Sequence, residues 1–256
     1  MAEASSAVVA DLAPTGRLRA GLNFSNVLLT ARDAAGRPTG VAFDLAHELG
    51  RRLGVGVDII EYPNPGKLAE SADQNLWDVG FLGAEPARAV LIDFSAAYVE
   101  IEATYLVRNE SPLSTIADVD SDGVRVVVPG KAAYGLWLTA NLKRAKLTGV
   151  DTADTAAQRF MEENFDALAG LRDRLSKDVT KLSGTRLLEG KFASVQQAAG
   201  TPKGRAAGFA YLCAFIEDVK ATGLVAKLIE THKVGHGLTV APPAGLGGEK
   251  PTTSIA

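Results

Sequence analysis

The chain has little cysteine and no long apolar run. Cys213 is its single cysteine, so no internal disulfide can form. It lies in an apolar stretch with a helical pattern, and we predict a packed core thiol rather than a reactive one. Apolar runs such as residues 124–128 fall far short of the ~20 residues that a membrane helix needs. We therefore expect no stable membrane insertion.

The chain also has little excess of one sign of charge over the other. The chain has 27 Lys and Arg against 30 Asp and Glu, a net charge of −3. This balance gives no electrostatic case for binding nucleic acid, and no basic helix-turn-helix segment is visible. Residues 1–10 have neither a basic n-region nor a sustained apolar h-region, so they are not a signal peptide. Either a signal is removed before this chain or the protein is made without one; both readings stay open.

Common catalytic and metal-binding motifs are missing too. The sequence contains no G-x-S-x-G, no H-E-x-x-H and no Cys/His pairing. Asp118–Gly123 imitates the start of a calcium loop, but Pro129 stands where the loop needs glutamate, so we predict a polar turn. Glycines beside His232 and His236 spoil a helix there, which argues against a metal site. We predict no cofactor, no metal and no catalytic residue.

What the chain does have is a regular alternation of strand and helix patterns. Its hydrophobic content of 46 % is ordinary for a globular protein, and 256 residues suffice for two lobes with separate cores. Such alternation predicts an α/β fold with helices on the faces of a sheet. We predict strands at residues 17–23, 55–62, 78–82, 99–107, 124–128, 165–169 and 186–198, and helices at 40–53, 67–75, 132–143, 155–163, from 171, and 206–232.

The pattern also predicts the domain organisation. One α/β set is followed by a crossing near residues 107–109, a second set, and a return crossing near residues 194–197. Two crossings predict two lobes that can bend about a hinge. Lobe 1 comprises 14–107 and 196–234, lobe 2 comprises 108–195, and the Gly- and Pro-rich residues 235–256 are predicted to be a disordered tail.

The most informative stretch runs from Trp77 to Tyr98. A buried strand leads to a tight turn at Gly83, and Arg88 follows five residues later, five residues before Asp93. This stretch resembles the D-x-G-x-T-x-T-x-x-R-x-x-x-x-D-F-S-x-P-Y signature of periplasmic solute-binding proteins of the amino-acid type (family 3), the substrate-binding components of ABC transporters. The resemblance extends over residues 17–231.

The resemblance implies a type II periplasmic-binding-protein fold, with the ligand cleft between two βαβ lobes joined by two crossover strands. It implies a monomer that binds a small carboxylate-bearing solute and delivers it to an ABC permease in the periplasm. A cytoplasmic ligand sensor without a transport role is the alternative. A cyclohexadienyl dehydratase is a weaker one, because Arg174 stands where that enzyme needs a glutamate general acid.

In lobe 1, the resemblance assigns the solute carboxylate to Arg88, whose planar fork suits bidentate binding. The alternative is a solvated surface arginine paired with Glu85 or Asp93. The signature's first threonine falls on Gly83, after Leu82, so a side-chain donor is missing there and the backbone amides of Gly83 and Ala84 would have to replace it.

The end of the first strand supplies further candidates. Asn23 and Asn26 have amides that either contact the ligand or satisfy backbone groups of the turn. Phe24 is placed to stack on a ligand.

In lobe 2, residues 128–134 align with the family's ligand-binding turn at a helix N-terminus. Gly130 is kept, whereas Lys131 and Ala132 replace hydroxyl residues. Lys131 either adds positive charge for a second carboxylate or is simply solvated. Tyr134 is the second aromatic residue that is placed to stack.

The family pairs the ligand ammonium with an aspartate, and Leu171 takes that place here. Since leucine cannot pair with a charge, either the ligand lacks an α-amine or another carboxylate replaces the aspartate. Glu102 is our candidate for that replacement. If the alignment with the family is shifted by one residue, Arg172 takes this place instead, which favours an anionic ligand such as a dicarboxylate.

Overall fold

The computed structural model describes residues 3–235 and 237–245, which divide into two compact units. Unit 1 combines the chain up to Glu100 with the chain from Gln196 on, and unit 2 comprises Ile101–Val195. The first boundary between the units lies between Glu100 and Ile101 and not at residue 107. It falls inside a strand that runs from Ile92 to Arg108, so no turn or loop in the sequence marks it. Unit 1 also includes a helix before residue 14.

The elements of the described residues follow the alternation that the sequence predicts. The strands are β1 (Arg17–Asn23), β2 (Ala31–Arg32), β3 (Pro38–Thr39), β4 (Gly56–Tyr62), β5 (Val79–Gly83), β6 (Ile92–Arg108), β7 (Arg125–Pro129), β8 (Lys146–Val150), β9 (Ala167–Leu171), β10 (Thr185–Leu187), β11 (Ala193–Pro202) and β12 (Thr239–Val240). The helices are α1 (Ser6–Leu12), α2 (Val41–Leu53), α3 (Pro65–Glu70), α4 (Ala133–Asn141), α5 (Ala153–Glu162), α6 (Arg172–Val179), α7 (Ala206–Ala221) and α8 (Leu224–Thr231).

The sheet of unit 1 is built around β1. Strands β4 and β5 flank β1 in parallel, and β11 runs antiparallel to β5. All five residues of β5 are buried, as expected for a strand covered on both faces. In the register of β1 and β5, Leu22 lies opposite Phe81, so the carboxyl ends of both strands reach the same edge of the sheet.

Helix α2 shows how the sequence sets local structure. Leu45, Leu49 and Leu53 recur every four residues and are buried. Gly40 before the helix has φ 121°, and a Cβ there would lie 2.5 Å from the Leu29 carbonyl oxygen. The helix ends at Gly54 in the left-handed region, φ 71°.

Asp78, the first residue of the signature, is fully buried and structural. Its carboxylate accepts hydrogen bonds from the backbone amide, Nε and Nη2 of Arg19 and from Nη1 of Arg205. Arg19 belongs to β1 and Arg205 precedes α7, so this carboxylate joins the sheet to the start of a helix. The signature aspartate therefore stabilises unit 1.

Unit 2 has its own parallel sheet. Strands β8 and β9 flank β7 in parallel, and β6 runs antiparallel to β9. A core cluster forms where α5 packs on this sheet, with Phe160, Val127 and Leu106 buried. Strand β8 is not predicted from the sequence, because this edge strand is half exposed and carries a weak apolar pattern.

The C-terminal segment is a correction to the predicted tail. Strand β12 pairs antiparallel with β6, Thr239 opposite Glu100, and the Ala241 amide donates to the Tyr98 carbonyl at 3.1 Å. Leu238 is buried. The disordered tail that the sequence predicts therefore does not begin at residue 235; residues 236 and 246–256 lie outside the described ones.

The apparent calcium loop is a polar turn. The Asp118 carboxylate accepts the amides of Ser114 and Thr115, and that of Asp120 accepts the amides of residues 143–145. Backbone donors lower the pKa of the Asp118 carboxyl, and for Asp120 burial opposes the shift but the backbone donors still lower the pKa, so the two groups act as anionic caps for the backbone.

The histidine and cysteine candidates of the sequence lie outside the signature. His232 Nε2 lies 2.6 Å from Asp44 Oδ2, while His236 is outside the described residues. Cys213 is half-buried rather than fully packed, and burial raises the pKa of its thiol. Over residues 3–235 and 237–245, no cluster of three His, Cys, Asp or Glu side chains is arranged to hold a metal ion. None of the helices in these ranges is both long and apolar enough to cross a membrane.

Candidate functional site

The candidate residues of unit 1 gather at one edge of its sheet. Asn23 ends β1, and Gly83 ends β5. Since the two strands are parallel and in register, these ends are neighbours. Ligands of open α/β sheets bind outside the carboxyl ends of the strands, so this edge is the candidate binding surface of unit 1.

Arg88 lies in a helical turn that directly follows β5. Its amide donates to the Glu85 carbonyl at 2.9 Å, and the Ile92 amide donates to the Arg88 carbonyl at 3.1 Å. The side chain is only 6 % exposed, and Nη1 donates to the Gly83 carbonyl at 2.7 Å. Arg88 is thus an oriented cation withdrawn from solvent, which does not fit the alternative of a solvated surface arginine.

The electrostatics of this turn couple Arg88 to Glu85. Burial lowers the pKa of Arg88 to about 10, against the opposing effect of Glu85. The guanidinium therefore remains charged at neutral pH. Burial also raises the pKa of Glu85 to about 7, while the charge of Arg88 acts in the opposite direction. Glu85 is half-buried and lies next to the candidate carboxylate site.

One backbone donor expected from the sequence is already engaged. The Ala84 amide donates to the Gln196 carbonyl at 2.8 Å, so it forms part of the contact of β5 with β11. A solute carboxylate would have to displace this bond to use the Ala84 amide. Leu82 is fully buried and contributes to the core of unit 1.

Local hydrogen bonds hold the carboxyl end of β1 and the turn that follows it. Asn26 Oδ1 accepts the Leu28 amide at 3.2 Å, which is the turn-satisfying role that the sequence analysis left open for it. Asn23 is buried, and its Oδ1 accepts the Ser25 hydroxyl at 3.0 Å. The Phe24 ring is half-buried beneath the Arg32 guanidinium, 4.7 Å from its centroid, so one face is covered by a cation.

The candidate residues of unit 2 meet at the corresponding edge of its sheet. Val127 lies opposite Leu168 in the parallel register of β7 and β9, so Gly130 and Leu171 follow at the same edge. Helix α4 begins there, with Ala132 as an N-cap that makes no side-chain hydrogen bond. The helix start is close to β7, since a Cβ on Gly135 would lie 2.3 Å from the Pro129 carbonyl oxygen. Lys131 is exposed in this turn.

Glu102 has cationic partners within unit 2. Its Oε2 accepts Arg172 Nε at 2.8 Å, and its Oε1 lies 3.7 Å from Lys191 Nζ. Arg172 also donates to the Gly190 carbonyl. A carboxylate held by two cations is a poor partner for a ligand ammonium. Leu171, half-buried, presents no charge there either.

Tyr134 lies inside unit 2, and the stacking role predicted for this residue stays a prediction. Its side chain is buried, burial raises the pKa of its hydroxyl, and it lies with Arg174 and Asp178 around a small void in unit 2. Arg174 is itself paired, with Asp178 at 2.9 Å and Asp154 at 2.6 Å.

Unit 2 also contains an aromatic row that the sequence does not predict. The Phe192 ring lies 4.6 Å from Tyr105 and 5.5 Å from Trp137, centroid to centroid. Phe192 and Trp137 are half-exposed. These rings come from α4, β6 and the segment before β11, so no local sequence pattern unites them.

Comparisons with known proteins agree with this architecture. Residues 18–235 match the model of the bacterial extracellular solute-binding proteins, family 3. The chain is similar in fold to a mutant of ArgBP from T. maritima, with 21% sequence identity, a TM-score of 0.71, and coverage of 88% of this chain and 99% of the other. No curated protein sequence matches the chain.

Two further solved structures are similar. One is the amino acid ABC transporter substrate-binding protein AbpA from Streptococcus pneumoniae bound to L-arginine, with 17% identity, TM-score 0.70, and coverage of 87% and 97%. The other is an ancestral amino acid-binding protein, a precursor of cyclohexadienyl dehydratase, with 21% identity, TM-score 0.69, and coverage of 87% and 98%. The family and the α/β fold class that the sequence predicts are confirmed.

Proposed function

Since the chain belongs to the bacterial extracellular solute-binding proteins of family 3, we propose that it binds a small carboxylate-bearing solute through Arg88. A guanidinium that is 6 % exposed, oriented by the Gly83 carbonyl and placed at the carboxyl end of β5 is the observation that carries this proposal. Its fork geometry matches a carboxylate, and its charge persists at neutral pH.

The surroundings in unit 2 support a solute that does not need an ammonium partner. Leu171 is apolar, and Glu102 is already paired with Arg172 and Lys191. The two cations beside Glu102 favour a monocarboxylate or a dicarboxylate. An α-amino acid is the alternative, since AbpA is bound to L-arginine.

A binding role is favoured over a dehydratase role by Arg174. It stands where the resemblance requires a glutamate general acid, and its guanidinium is paired with Asp178 and Asp154. A guanidinium in ion pairs holds its protons too tightly to transfer one to a leaving hydroxyl at neutral pH.

Membership of the family also supports the proposed setting, a periplasmic monomer that delivers its solute to an ABC permease. A sensor without a transport role is the alternative. Fractionation of the host separates them, because a transport component belongs in the periplasm and a cytoplasmic sensor does not.

Thermal shift of the wild type, Arg88→Ala and Arg37→Ala against amino acids, dicarboxylates, keto acids and aromatic acids tests the proposal. Arg37 is an exposed arginine of unit 1 paired with Asp33, so its variant controls for loss of a positive charge. A solute at ~100 times its Kd stabilises the protein by about 2.7 kcal/mol. For a chain of this size that is a rise of roughly 5 to 10 °C in Tm.

The expected result is a shift that Arg88→Ala abolishes and Arg37→Ala retains. A solute that shifts all three proteins equally, or no shift by any acid in the panel, would contradict the proposal. The identity of the solute also decides between a plain carboxylate and an α-amino acid.

A further inference from the structure

Glu85 and Arg88 share a single turn after β5. The Glu85 carbonyl accepts the amides of Arg88 at 2.9 Å and Ala89 at 3.0 Å, which winds the chain into one helical turn. Side chains three positions apart on such a turn are neighbours on its surface. Both are withdrawn from water, Arg88 being buried and Glu85 half-buried. A carboxyl group therefore accompanies the cation that is proposed to bind a solute carboxylate.

The position of Glu85 is unusual for this signature. The pattern places a threonine three residues before its arginine, whereas this chain has Glu85 there. A hydroxyl is a neutral donor that tolerates an incoming anion. An ionised carboxylate has no proton to donate and repels the anion.

We infer that Glu85 is a specificity-determining residue that must be protonated when Arg88 binds a solute carboxylate. This inference rests on the carboxylate role of Arg88 proposed above. One proton is taken up from water as the solute binds, so the ionised Glu85 carboxylate becomes a carboxylic acid. Its O–H then donates to the solute carboxylate, while Arg88 keeps its charge.

The electrostatics of the turn lower the free energy that is needed to protonate Glu85. Burial already raises the pKa of Glu85 to about 7, although Arg88 opposes the shift. A bound anion would raise it further, since a like charge disfavours ionisation. Removing Arg88 would also raise it.

In the part of the chain that the structure describes, no charged side chain of a neighbouring element forms an ion pair with Glu85. Strand β6 carries Asp93 and Glu100, and the Glu100 carboxylate accepts Gln196 Nε2 at 2.7 Å. Lys203 follows β11, and its amide donates to the Leu91 carbonyl at 3.1 Å. Among the charges of the described residues, the one with a resolved effect on Glu85 is Arg88.

Proton-linked titration calorimetry tests the inference, with succinate as the probe. Wild type, Glu85→Gln, Glu85→Thr and Arg88→Ala are titrated between about pH 6.5 and about pH 9, in buffers of low and high ionisation enthalpy. Glu70→Gln is the control, because Glu70 is an exposed glutamate of unit 1 that pairs with Lys67. Circular dichroism and Tm establish that each variant is folded.

In the wild type and in Glu70→Gln, the affinity for succinate should fall about tenfold per pH unit above about pH 7. Uptake of protons should approach one per succinate over the same range. In Glu85→Gln and Glu85→Thr, the affinity should be independent of pH, without proton uptake.

The possible failures are distinguishable. If Glu85→Gln keeps the pH slope of the wild type while Arg88→Ala loses binding, the inference is wrong and the role of Arg88 stands. If neither succinate nor any other acid of the thermal-shift panel binds the wild type or Glu85→Gln at about pH 6.5, or if succinate binds Arg88→Ala as well as the wild type, the carboxylate role of Arg88 is wrong and the inference falls with it.

Discussion

Replacing Asp78 by asparagine should destabilise the protein much more than the same replacement of Asp58. Asp78 Oδ2 accepts the amide and Nε of Arg19, both at 3.0 Å, and Oδ1 accepts Arg19 Nη2 and Arg205 Nη1, both at 2.8 Å. Its carboxylate is fully buried. Asp58 also pairs with one arginine, Arg17, at 2.9 Å, but the Asp58 side chain is 47% exposed.

The expected magnitudes follow from this difference in burial. Breaking a buried ion pair by removing one partner costs about 3 to 5 kcal/mol. Asparagine keeps the shape and one acceptor oxygen, and both arginines retain some contact with water, so we expect about 2 to 3 kcal/mol for Asp78→Asn. The exposed pair of Asp58 should contribute less than about 1 kcal/mol. For a chain of this size, these values correspond to a fall in Tm of roughly 4 to 12 °C for Asp78→Asn and less than about 4 °C for Asp58→Asn.

Differential scanning calorimetry of the two variants beside the wild type measures these shifts. The variants are a matched pair, because each removes one negative charge that pairs with an arginine of β1. Equal shifts, or an unchanged Tm for Asp78→Asn, would refute the reasoning that burial makes the signature aspartate structural.

The remaining predictions concern packing. Leu238→Ala should lower the free energy of unfolding by about 2 to 4 kcal/mol, because Leu238 is buried. The control Val240→Ala, at a residue that is 37% exposed, should lower it by less than about 1 kcal/mol. Equal losses for the two variants in urea unfolding would mean that the segment around β12 is not packed. Gly135→Ala should lower Tm, because the new Cβ would meet the Pro129 carbonyl oxygen at 2.3 Å. This clash opposes the helix propensity of alanine, which is about 1 kcal/mol more favourable than that of glycine. A raised Tm would show that α4 can shift freely.

Local patterns were enough to predict much of the fold. The bounds of β1 agree with the prediction, and α2 follows from leucines at every fourth position, closed by Gly54. These elements are encoded by neighbouring residues, so a single sequence reveals them. Strand β8 was missed because its edge position leaves it half exposed, and β12 because two strand residues in a Gly- and Pro-rich segment have no period of their own.

The candidate site was less predictable than the fold, for a physical reason. The position of Arg88 follows from the spacing of the signature, but its burial and its bond to Gly83 depend on the packed turn. The pairing of Glu102 with Arg172 and Lys191 joins residues that are distant along the chain. The sequence therefore indicated which residues to consider, while long-range contacts decide which charges are already neutralised.

The most direct test of the central claim is a crystal structure of the protein with the acid that gives the largest Arg88-dependent thermal shift. The account predicts a solute carboxylate at hydrogen-bond distance, about 3 Å, from the Arg88 guanidinium, with Nη1 still bonded to the Gly83 carbonyl. A solute whose carboxylate lies elsewhere, with Arg88 contacting only protein groups, would contradict it.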